Sequence, residues 1–313
     1  MTLSLAMIVK NEEFVISNCL SSVRGLVDEM VLVDTGSTDY TKIIAKTIGA
    51  KVIDFEWVDD FSAARNESLK YCTSDWILVL DADESIDLID HQTIREAILR
   101  EEVDAFNIPI RNYLANKQIM MMDKTLVRNK RSRYKEGRGF PYYAQHDGMR
   151  LFRKLNDNMY EGKIHETVDQ FFIDNGSKIE GLEVAIHHFG KMLFDKENSK
   201  TPVYLKMAEE EAEAQPDNPR VWYNVFQQAL VADDHKSVLN AAKNYLRINH
   251  LQAPAIIYIG SAMALRGLGR FGDAIICLDA VLNLEPDNKL ALKYKKEILK
   301  TMKADNKKDF RSL

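Results

Sequence analysis

The residues of this chain best suited to chemistry are two carboxylates, Asp81 and Asp83, which follow the apolar run from Trp76 to Leu80. Five apolar residues in succession predict a buried strand, so the acidic pair falls where that strand ends. Side chains two residues apart in an extended chain point to the same side, so both carboxylates can face one point. Like charges this close repel each other unless a cation lies between them. Oxygen ligands suit Mg²⁺ or Mn²⁺, which would hold a substrate phosphate; the alternative is a solvated turn.

The composition is that of an ordinary globular protein. The chain has 313 residues, long enough for two domains, with 46% hydrophobic and 28% charged residues. Its formal net charge of −5 argues against nucleic acid as the main partner. The three cysteines, Cys19, Cys72 and Cys277, lie far apart without metal-ligand spacing, which predicts reduced packing residues. Because we find neither a signal sequence nor an apolar stretch that could span a bilayer, we expect a cytoplasmic protein.

Strands and helices alternate through the first 80 residues. Apolar runs predict strands at 3–9, 30–33, 51–55 and 76–80, and the segments between them predict helices at about 10–27, 37–48 and 61–71. Gly36 permits the positive φ that the turn before the second helix needs, and residues 37–39 can cap that helix. This order predicts right-handed crossovers and a mostly parallel, Rossmann-like α/β sheet covered on both faces.

Polar residues gather where the predicted strands end, which is where such sheets bind their ligands. They are Asn11, Asp34, Asp39, Asp81 and Asp83. The chain has neither G-x-G-x-x-G after its first strand nor G-x-x-x-x-G-K-[ST], which disfavours dinucleotide oxidoreductases and P-loop enzymes. A metal ion would then neutralise a bound diphosphate in place of a glycine-rich loop.

Four sequence blocks occur in an order and spacing that resemble a known family. The blocks are Ser4–Glu13, Val33–Asp39, Ala64–Asn66 and Asp81–Glu84. Over about residues 1–195 the chain resembles family-two glycosyltransferases of the GT-A fold. Within that family it is similar to bacterial enzymes with C-terminal tetratricopeptide repeats. These include glycosyltransferases that act on peptides, such as those of glycosylated bacteriocins.

The resemblance implies roles for several residues. Asp34 would accept a hydrogen bond from the uracil ring, and Arg65 would lie near the base or the diphosphate. Asp81 would lie near the ribose and the metal, and Asp83 would ligate the metal. Further residues expected to bind the nucleotide sugar are Val9, Asn11, Glu13 and Ala82.

The implied reaction is transfer of a sugar, with inversion, from a nucleotide donor of the UDP-glucose or UDP-N-acetylglucosamine class. The implied cofactor is Mn²⁺ or Mg²⁺.

A basic run lies in the middle of the chain, before Gly139 and Pro141. Its members are Arg128, Lys130, Arg131, Arg133, Lys135 and Arg138. One interpretation is a solvated loop. The other is a mobile lid whose cations neutralise the leaving diphosphate.

Inverting transfer needs a base that removes the acceptor's proton. Glu166 is the first candidate, because the resemblance places an acidic residue at this position. It lies directly after His165, and a turn that contains Gly162 precedes both residues. Asp147 is the second candidate, and His165 could serve as the neighbour that orients the base. A structural salt link is the alternative for this pair.

Paired histidines, His187 and His188, end an apolar strand. A packed histidine is the ordinary interpretation of one histidine beside an aromatic residue. GT-A enzymes of this kind often carry a late histidine that completes the metal site, and the pattern His-aromatic-Gly favours His188. An imidazole beside two carboxylates would favour Mn²⁺. Lys191 stands where relatives often have tyrosine.

The strand pattern ends near residue 195, and residues 196–313 predict a tetratricopeptide-like helical repeat. Trp222 and Tyr258 lie 36 residues apart, close to the repeat length of about 34. The segments Pro216-Asp217-Asn218 and Pro286-Asp287-Asn288 mark equivalent helix ends. The concave side of such an array binds an extended peptide or a protein, whereas the alternative is a stabilising or homodimerising appendage.

The acceptor expected from the repeats and the resemblance is a Ser, Thr or Cys side chain of a peptide or protein. A saccharide or lipid-linked acceptor is the second choice. A catalytically inactive scaffold and a metal-dependent nucleotidyltransferase are the other hypotheses, although the latter predicts a basic signature near the N-terminus that the chain lacks beyond Lys10.

Overall fold

The computed structural model describes residues 1–114, 125–130, 132–189, 197–249 and 253–309. The chain divides into two compact units, Met1–Lys196 and Glu197–Leu313. The predicted junction at 195/196 falls outside the described residues, as do Arg131 and Lys191. Across the described residues, no helix has the length and apolar character needed to cross a membrane.

The first unit contains ten strands and five α-helices among its described residues. The strands are β1 (Leu3–Val9), β2 (Glu29–Asp34), β3 (Lys51–Asp54), β4 (Trp76–Val79), β5 (Glu84–Ile86), β6 (Ala105–Leu114), β7 (Thr125–Arg128), β8 (Tyr142–Arg153), β9 (Ile179–Gly181) and β10 (Ile186–His188). The helices are α1 (Ile16–Val23), α2 (Thr41–Ile48), α3 (Phe61–Tyr71), α4 (His91–Ala97) and α5 (Asp169–Asp174), with a short 3₁₀ helix at Leu88–Asp90.

All ten strands belong to one sheet, whose main path runs β3-β2-β1-β4-β8-β6-β10-β5. The strands from β3 to β4 are parallel, as the alternating pattern predicts. β8 then runs antiparallel to both β4 and β6, and β5 runs antiparallel to β10. The predicted α/β Rossmann-like fold is confirmed, but a mostly parallel sheet is wrong because the second half is mixed. Parallel neighbours need a crossover helix, and β6, β7 and β8 follow one another without one among the described residues.

Alternation along β1 divides the core between the two faces of the sheet. Leu5 and Met7 pack on one face with α1, whereas Ala6 packs on the other with Val31 and Ile77. This double coverage explains why β1 is apolar along most of its length and ends at a polar loop.

The helix after β1 begins at Ile16, not at Lys10 as the sequence predicts. Asn11 adopts a left-handed backbone conformation with φ of +57°, which an α-helix does not permit. Residues 10–15 therefore form a loop. In contrast, α3 begins at Phe61 and ends at Tyr71 as predicted, with Asp60 accepting a hydrogen bond from the Ala63 amide as its N-cap.

The second unit is helical throughout its described residues, which confirms the predicted all-α region. Its helices are α6 (Glu197–Ala214), α7 (Pro219–Val231), α8 (His235–Asn249), α9 (Ala255–Gly267), α10 (Phe271–Leu284) and α11 (Lys289–Asp309). Asn218 caps α7 and Asn288 caps α11, each by accepting a backbone N–H at about 3.0 Å. These equivalent caps lie 70 residues apart, or two periods of about 35, which fits a tetratricopeptide-like array. Pro202 lies inside α6.

Candidate active site

Two loops at the carboxyl end of the parallel strands are joined by side-chain hydrogen bonds. The side-chain oxygen of Asn11 accepts a hydrogen bond from the Thr38 backbone amide at 2.8 Å. The backbone amide of Asn11 donates to Ser37 Oγ at 2.9 Å. Glu13 accepts from the Tyr40 amide at 2.9 Å. The predicted residues Asn11 and Glu13 therefore hold the β2–α2 loop against the β1–α1 loop.

Asp34 ends β2 and is 1% exposed. Its Oδ1 accepts from the amides of Gly36 at 3.0 Å and Ser37 at 2.8 Å. Gly36 has φ of +102°, the conformation that this turn requires and that glycine adopts without strain. Asp34 Oδ2 is buried and has no hydrogen-bond partner, so one acceptor of this carboxylate is unused.

Arg65 joins the two acidic residues that the sequence singled out. It projects from α3, donates from Nη2 to Asp81 Oδ1 at 2.6 Å, and donates from Nε to Glu166 Oε1 at 2.9 Å. Its side chain is 8% exposed, and its Nη1 is buried without a partner. Glu166 follows a turn in which Gly162 and His165 both have positive φ. The ion pairs hold Arg65, Asp81 and Glu166 around one point.

Two neighbours of Asp81 were not found from the sequence. Arg150 on β8 lies 3.5 Å from Asp81 and 3.1 Å from Glu84, and Glu84 accepts the Asp81 amide at 2.9 Å. Glu84 belongs to the Asp-Ala-Asp-Glu block, but nothing local in the sequence pairs it with a residue 66 positions away. Buried arginines of this kind become apparent only when β4 and β8 are placed side by side.

The charges of this cluster shift its proton equilibria. Burial raises the pKa of Asp81, but the cations Arg65 and Arg150 outweigh burial and hold that pKa well below its usual value. Burial raises the pKa of Glu84, with Arg150 acting in the opposite direction. Burial lowers the pKa of Arg65, but Asp81 and Glu166 outweigh burial and raise it. Asp81 therefore stays ionised, and Arg65 stays charged.

Asp83 faces a different partner. Its Oδ2 lies 3.1 Å from Nε2 of His188, the last residue of β10. His188 Nδ1 donates to Asn112 Oδ1 at 2.7 Å, because the Asn112 amide nitrogen is engaged with the Ala144 carbonyl. Asn112 thus fixes a proton on Nδ1 and leaves Nε2 as the nitrogen that can bind a metal. Burial lowers the pKa of His188, but Asp83 outweighs burial and raises it.

Asp81 and Asp83 have different hydrogen-bond partners, Arg65 and His188, but both carboxylates act electrostatically on His188. That the two hold one metal ion stays a prediction. β4 ends at Val79, before both carboxylates, and Asp81 forms an ion pair with Arg65. Within the described residues, no three His, Cys, Asp or Glu side chains form a metal-binding cluster. Asp83 and His188 nevertheless fit a divalent ion, because two adjacent ligands with bonds of about 2.1 Å lie about 3 Å apart. The remaining positions would be left to phosphate oxygens and water.

A cavity of about 230 Å³ adjoins the Arg65 cluster. Among the candidate bases, Glu166 lines it, whereas Asp147 and His165 are exposed and do not. On β8 the residues on each side of Asp147, His146 and Gly148, line the cavity. Because strand residues alternate, the Asp147 side chain lies on the opposite face of β8.

Comparison with known proteins places the first unit in a family. Residues 4–159 match the sequence profile of glycosyl transferase family 2. Those residues form a family 2 glycosyltransferase domain. The predicted resemblance to family-two glycosyltransferases is therefore confirmed for these residues, and all of Asn11, Asp34, Arg65, Asp81 and Asp83 lie within the matched segment.

Two relatives extend this finding. A TPR repeat-containing protein of Synechococcus elongatus is 45% identical over 116 residues, which are 34% of this chain and 29% of that protein. The SPbeta prophage-derived glycosyltransferase SunS of Bacillus subtilis is 26% identical over 258 residues, which are 79% of this chain and 55% of SunS. The chain thus spans less than a third of the first relative and about half of the second.

Among solved structures, the chain is similar to glucosyl-3-phosphoglycerate synthase from Mycobacterium tuberculosis in complex with Mn²⁺, UDP and glucosyl-3-phosphoglycerate. The likeness has 24% identity and a TM-score of 0.30, and it covers 36% of this chain and 43% of that chain.

Within the glycosyltransferase domain, the structure places two predicted nucleotide-binding residues in the core. Val9 and Ala82 are 5% and 6% exposed and pack in the main hydrophobic cluster. The Val9 carbonyl accepts from the Thr35 amide at 3.0 Å. Any contact of Val9 or Ala82 with a nucleotide would therefore involve backbone atoms.

His187 of the first unit is the packed histidine. It is fully buried, stacks on Tyr113 with the ring planes 8° apart, and has Nδ1 2.7 Å from the Tyr113 hydroxyl. Burial, together with the nearby Arg111 charge, lowers the pKa of His187 to about 4. His188, not His187, is the histidine next to Asp83.

The depressed pKa of His187 predicts a loss of stability in mild acid. In the unfolded chain this histidine becomes protonated below about pH 6.5, whereas in the native state it becomes protonated only below about pH 4. Stability should therefore be fully present above about pH 6.5 and should fall by about 2 kcal/mol between pH 7 and pH 5.

Urea unfolding at pH 7 and pH 5 measures this loss. A Trp222→Phe background leaves Trp57 and Trp76, both in the first unit, as fluorescence reporters. His187→Phe removes the titrating group while keeping a ring beside Tyr113, so its stability should change less with pH. Equal losses in the two proteins would contradict the assignment.

Proposed function

We propose that the chain is an inverting glycosyltransferase that moves a sugar from a uridine diphosphate sugar to an acceptor with the help of Mn²⁺ or Mg²⁺. The family of the first unit supports sugar transfer. The choice of uridine depends on one observation, the unpartnered Oδ2 of Asp34. A uracil ring presents an N3–H donor, and a buried carboxylate oxygen without a donor of its own is the complementary group.

The Asp34→Asn variant tests the uridine assignment. The introduced asparagine would keep its oxygen on the amides of Gly36 and Ser37 and would present an NH₂ group where Oδ2 of the aspartate now lies. Cytosine has an acceptor at N3, whereas uracil has a donor. We expect the ratio of the dissociation constants for UDP and CDP to shift toward CDP by about 100-fold, the effect of about 3 kcal/mol.

Calorimetric titration of UDP and CDP in the presence of Mn²⁺ gives this ratio. Asp54→Asn is the matched control, because Asp54 pairs in register with Asp34 across β2 and β3 but its side chain is 74% exposed. An unchanged preference in Asp34→Asn would refute the assignment of the base-binding residue.

Each residue of the cluster has a role in the proposed reaction. Asp83 and His188 would hold the divalent ion, whose charge would stabilise the diphosphate as it leaves. Arg65, with Nη1 free of partners, is placed to meet a negatively charged group of the donor. Asp81 keeps Arg65 in position, and the family resemblance implies that it would lie near the ribose and the metal.

Glu166 is the proposed base. It would remove the proton from the acceptor's O–H or S–H as that atom attacks the anomeric carbon from the face opposite the diphosphate. The new glycosidic bond forms as the bond to the diphosphate breaks, and UDP leaves with the electron pair. The product has inverted configuration because attack and departure occur on opposite faces.

The acceptor we propose is a Ser, Thr or Cys side chain of a peptide or protein. The support is the helical array of the second unit, an architecture that presents an extended binding surface. A saccharide or lipid-linked acceptor is the alternative. A mass-spectrometric screen of donor hydrolysis across several nucleotide sugars identifies the sugar first, since water can replace the acceptor.

A catalytically inactive scaffold is disfavoured by the side chains present. Such a protein would be free to lose the groups that bind the donor, yet Asp34, Arg65, Asp81, Asp83 and His188 are all retained. The cytoplasmic location and a homodimer remain predictions from the sequence.

A further inference from the structure

A second cavity, of about 300 Å³, lies on the other face of the sheet from the proposed donor site. On β6, Ile110 lines the cavity beside Arg65, and its neighbour Arg111 lines the second one. On β8, His146 lines the first cavity and Tyr143 lines the second. Because side chains alternate along both strands, the two cavities open on opposite faces.

Arg111 is held rigidly at this second cavity. Its guanidinium carbon lies 4.8 Å from the ring centres of both Tyr134 and Tyr143, so the two rings sandwich the cation. Its Nε atom is buried and has no hydrogen-bond partner. A buried, charged donor without an acceptor is uncommon in folded proteins and indicates a missing ligand.

The rest of the lining is basic or neutral. Arg128 and Lys130 also line the cavity, and in the described part of the chain no carboxylate lies within ion-pair distance of either. Arg133 lines it as well but is already paired, with its Nη2 3.0 Å from Asp90. No acidic residue belongs to the described lining. Among the described residues, three cations (Arg111, Arg128 and Lys130) therefore face the cavity without a compensating carboxylate.

We infer that this cavity binds the phosphoryl group of a soluble phosphorylated molecule. A planar guanidinium with a free N–H group suits a phosphate or a carboxylate, but three uncompensated cations match a dianion better than a single negative charge. The volume of about 300 Å³ exceeds that of one phosphoryl group, so the cavity has room for further atoms of the molecule. The site is separate from the sugar-transfer site, because a sheet lies between them.

This placement changes the interpretation of the basic run. A lid over the leaving diphosphate would bring these cations to the side of Asp81 and Asp83. Arg128 and Lys130 instead line a cavity on the opposite face, and the Lys135 amide donates to Asp87. Arg131 lies outside the described residues. Arg128 and Lys130 of the run therefore belong to the second anion site.

Calorimetric titration of the full chain with inorganic phosphate tests the inference. Phosphate should bind the wild-type protein even when UDP and Mn²⁺ saturate the donor site. Arg111→Met should weaken phosphate binding by at least about tenfold, the effect of losing one charge-assisted contact. The double variant Arg128→Gln/Lys130→Gln should weaken it similarly, and both of these side chains are exposed, so folding is not at risk.

Arg24→Met, which changes an exposed arginine elsewhere on the first unit, is the matched control and should bind phosphate as the wild type does. Complete competition by UDP would place the phosphate in the donor site and overturn the inference. Unchanged binding in both sets of variants would do the same. Citrate and vesicles containing phosphatidylglycerol provide two further titrations: Arg111-dependent binding of either one, without binding of free phosphate, would contradict a soluble phosphorylated ligand.

Discussion

Asp83→Ala should reduce the hydrolysis of a nucleotide sugar by about 1,000-fold or more. The variant removes one of the two side chains that fit a divalent ion and leaves His188 alone at that point. A loss of about 4 kcal/mol of transition-state stabilisation corresponds to a factor of about 1,000. The fold should persist, because Asp83 lies in a turn and its side chain is 24% exposed.

Two measurements separate this effect from general damage. Release of UDP gives the rate, and calorimetric titration of UDP with and without Mn²⁺ gives the metal-dependent part of binding. Asp83→Ala should lose the metal-dependent part of UDP binding. The control Asp157→Ala, which changes an aspartate whose side chain is 54% exposed, should keep it. Full activity in Asp83→Ala would remove the basis of the metal assignment.

Glu166→Gln should lower the rate of donor hydrolysis by about 1,000-fold while UDP still binds. A positioned general base contributes a factor of about 100 to 10,000, and glutamine cannot take up the proton. Glutamine is close in size to glutamate and can still accept from Arg65 Nε, so Arg65 and Asp81 should remain in place. The loss should therefore appear in kcat more than in the affinity for UDP.

Asp147→Asn is the matched control for this prediction. Both carboxylates are candidates from the sequence, but Glu166 lines the cavity and Asp147 is exposed on the other face of β8. Asp147→Asn should keep its rate within about threefold, as expected of a surface substitution. The opposite pattern, a silent Glu166→Gln and an inactive Asp147→Asn, would assign the base to Asp147.

Sequence patterns located the strands that carry the site because burial on both faces leaves a strong signal. β1 and α3 have the predicted ends, and Asp34, Arg65, Asp81 and Asp83 lie at the carboxyl end of the parallel strands or on the helix that precedes β4. The turn at Gly36 was also predictable, since a positive φ there calls for glycine.

The partners of these residues were not predictable in the same way. Arg150 on β8 contacts Asp81, and Asn112 on β6 contacts His188. Both contacts depend on the strand order of a mixed sheet, which the alternation of apolar and polar residues along a single strand does not predict. The orientation of Asp81 and Asp83 also depended on where β4 ends. A strand that continued to Asp83 would direct both carboxylates alike, whereas β4 ends at Val79 and the two carboxylates make their hydrogen bonds with Arg65 and His188.

The joined loops that follow β1 and β2 have a consequence for the energetics of ligand capture. Asn11 and Glu13 fix the backbone around Asp34 through contacts made entirely within the protein. The conformational entropy of these loops is therefore lost when the polypeptide folds and need not be lost again when a nucleoside arrives. A small fragment such as uridine would therefore bind to loops whose backbone conformation is already fixed.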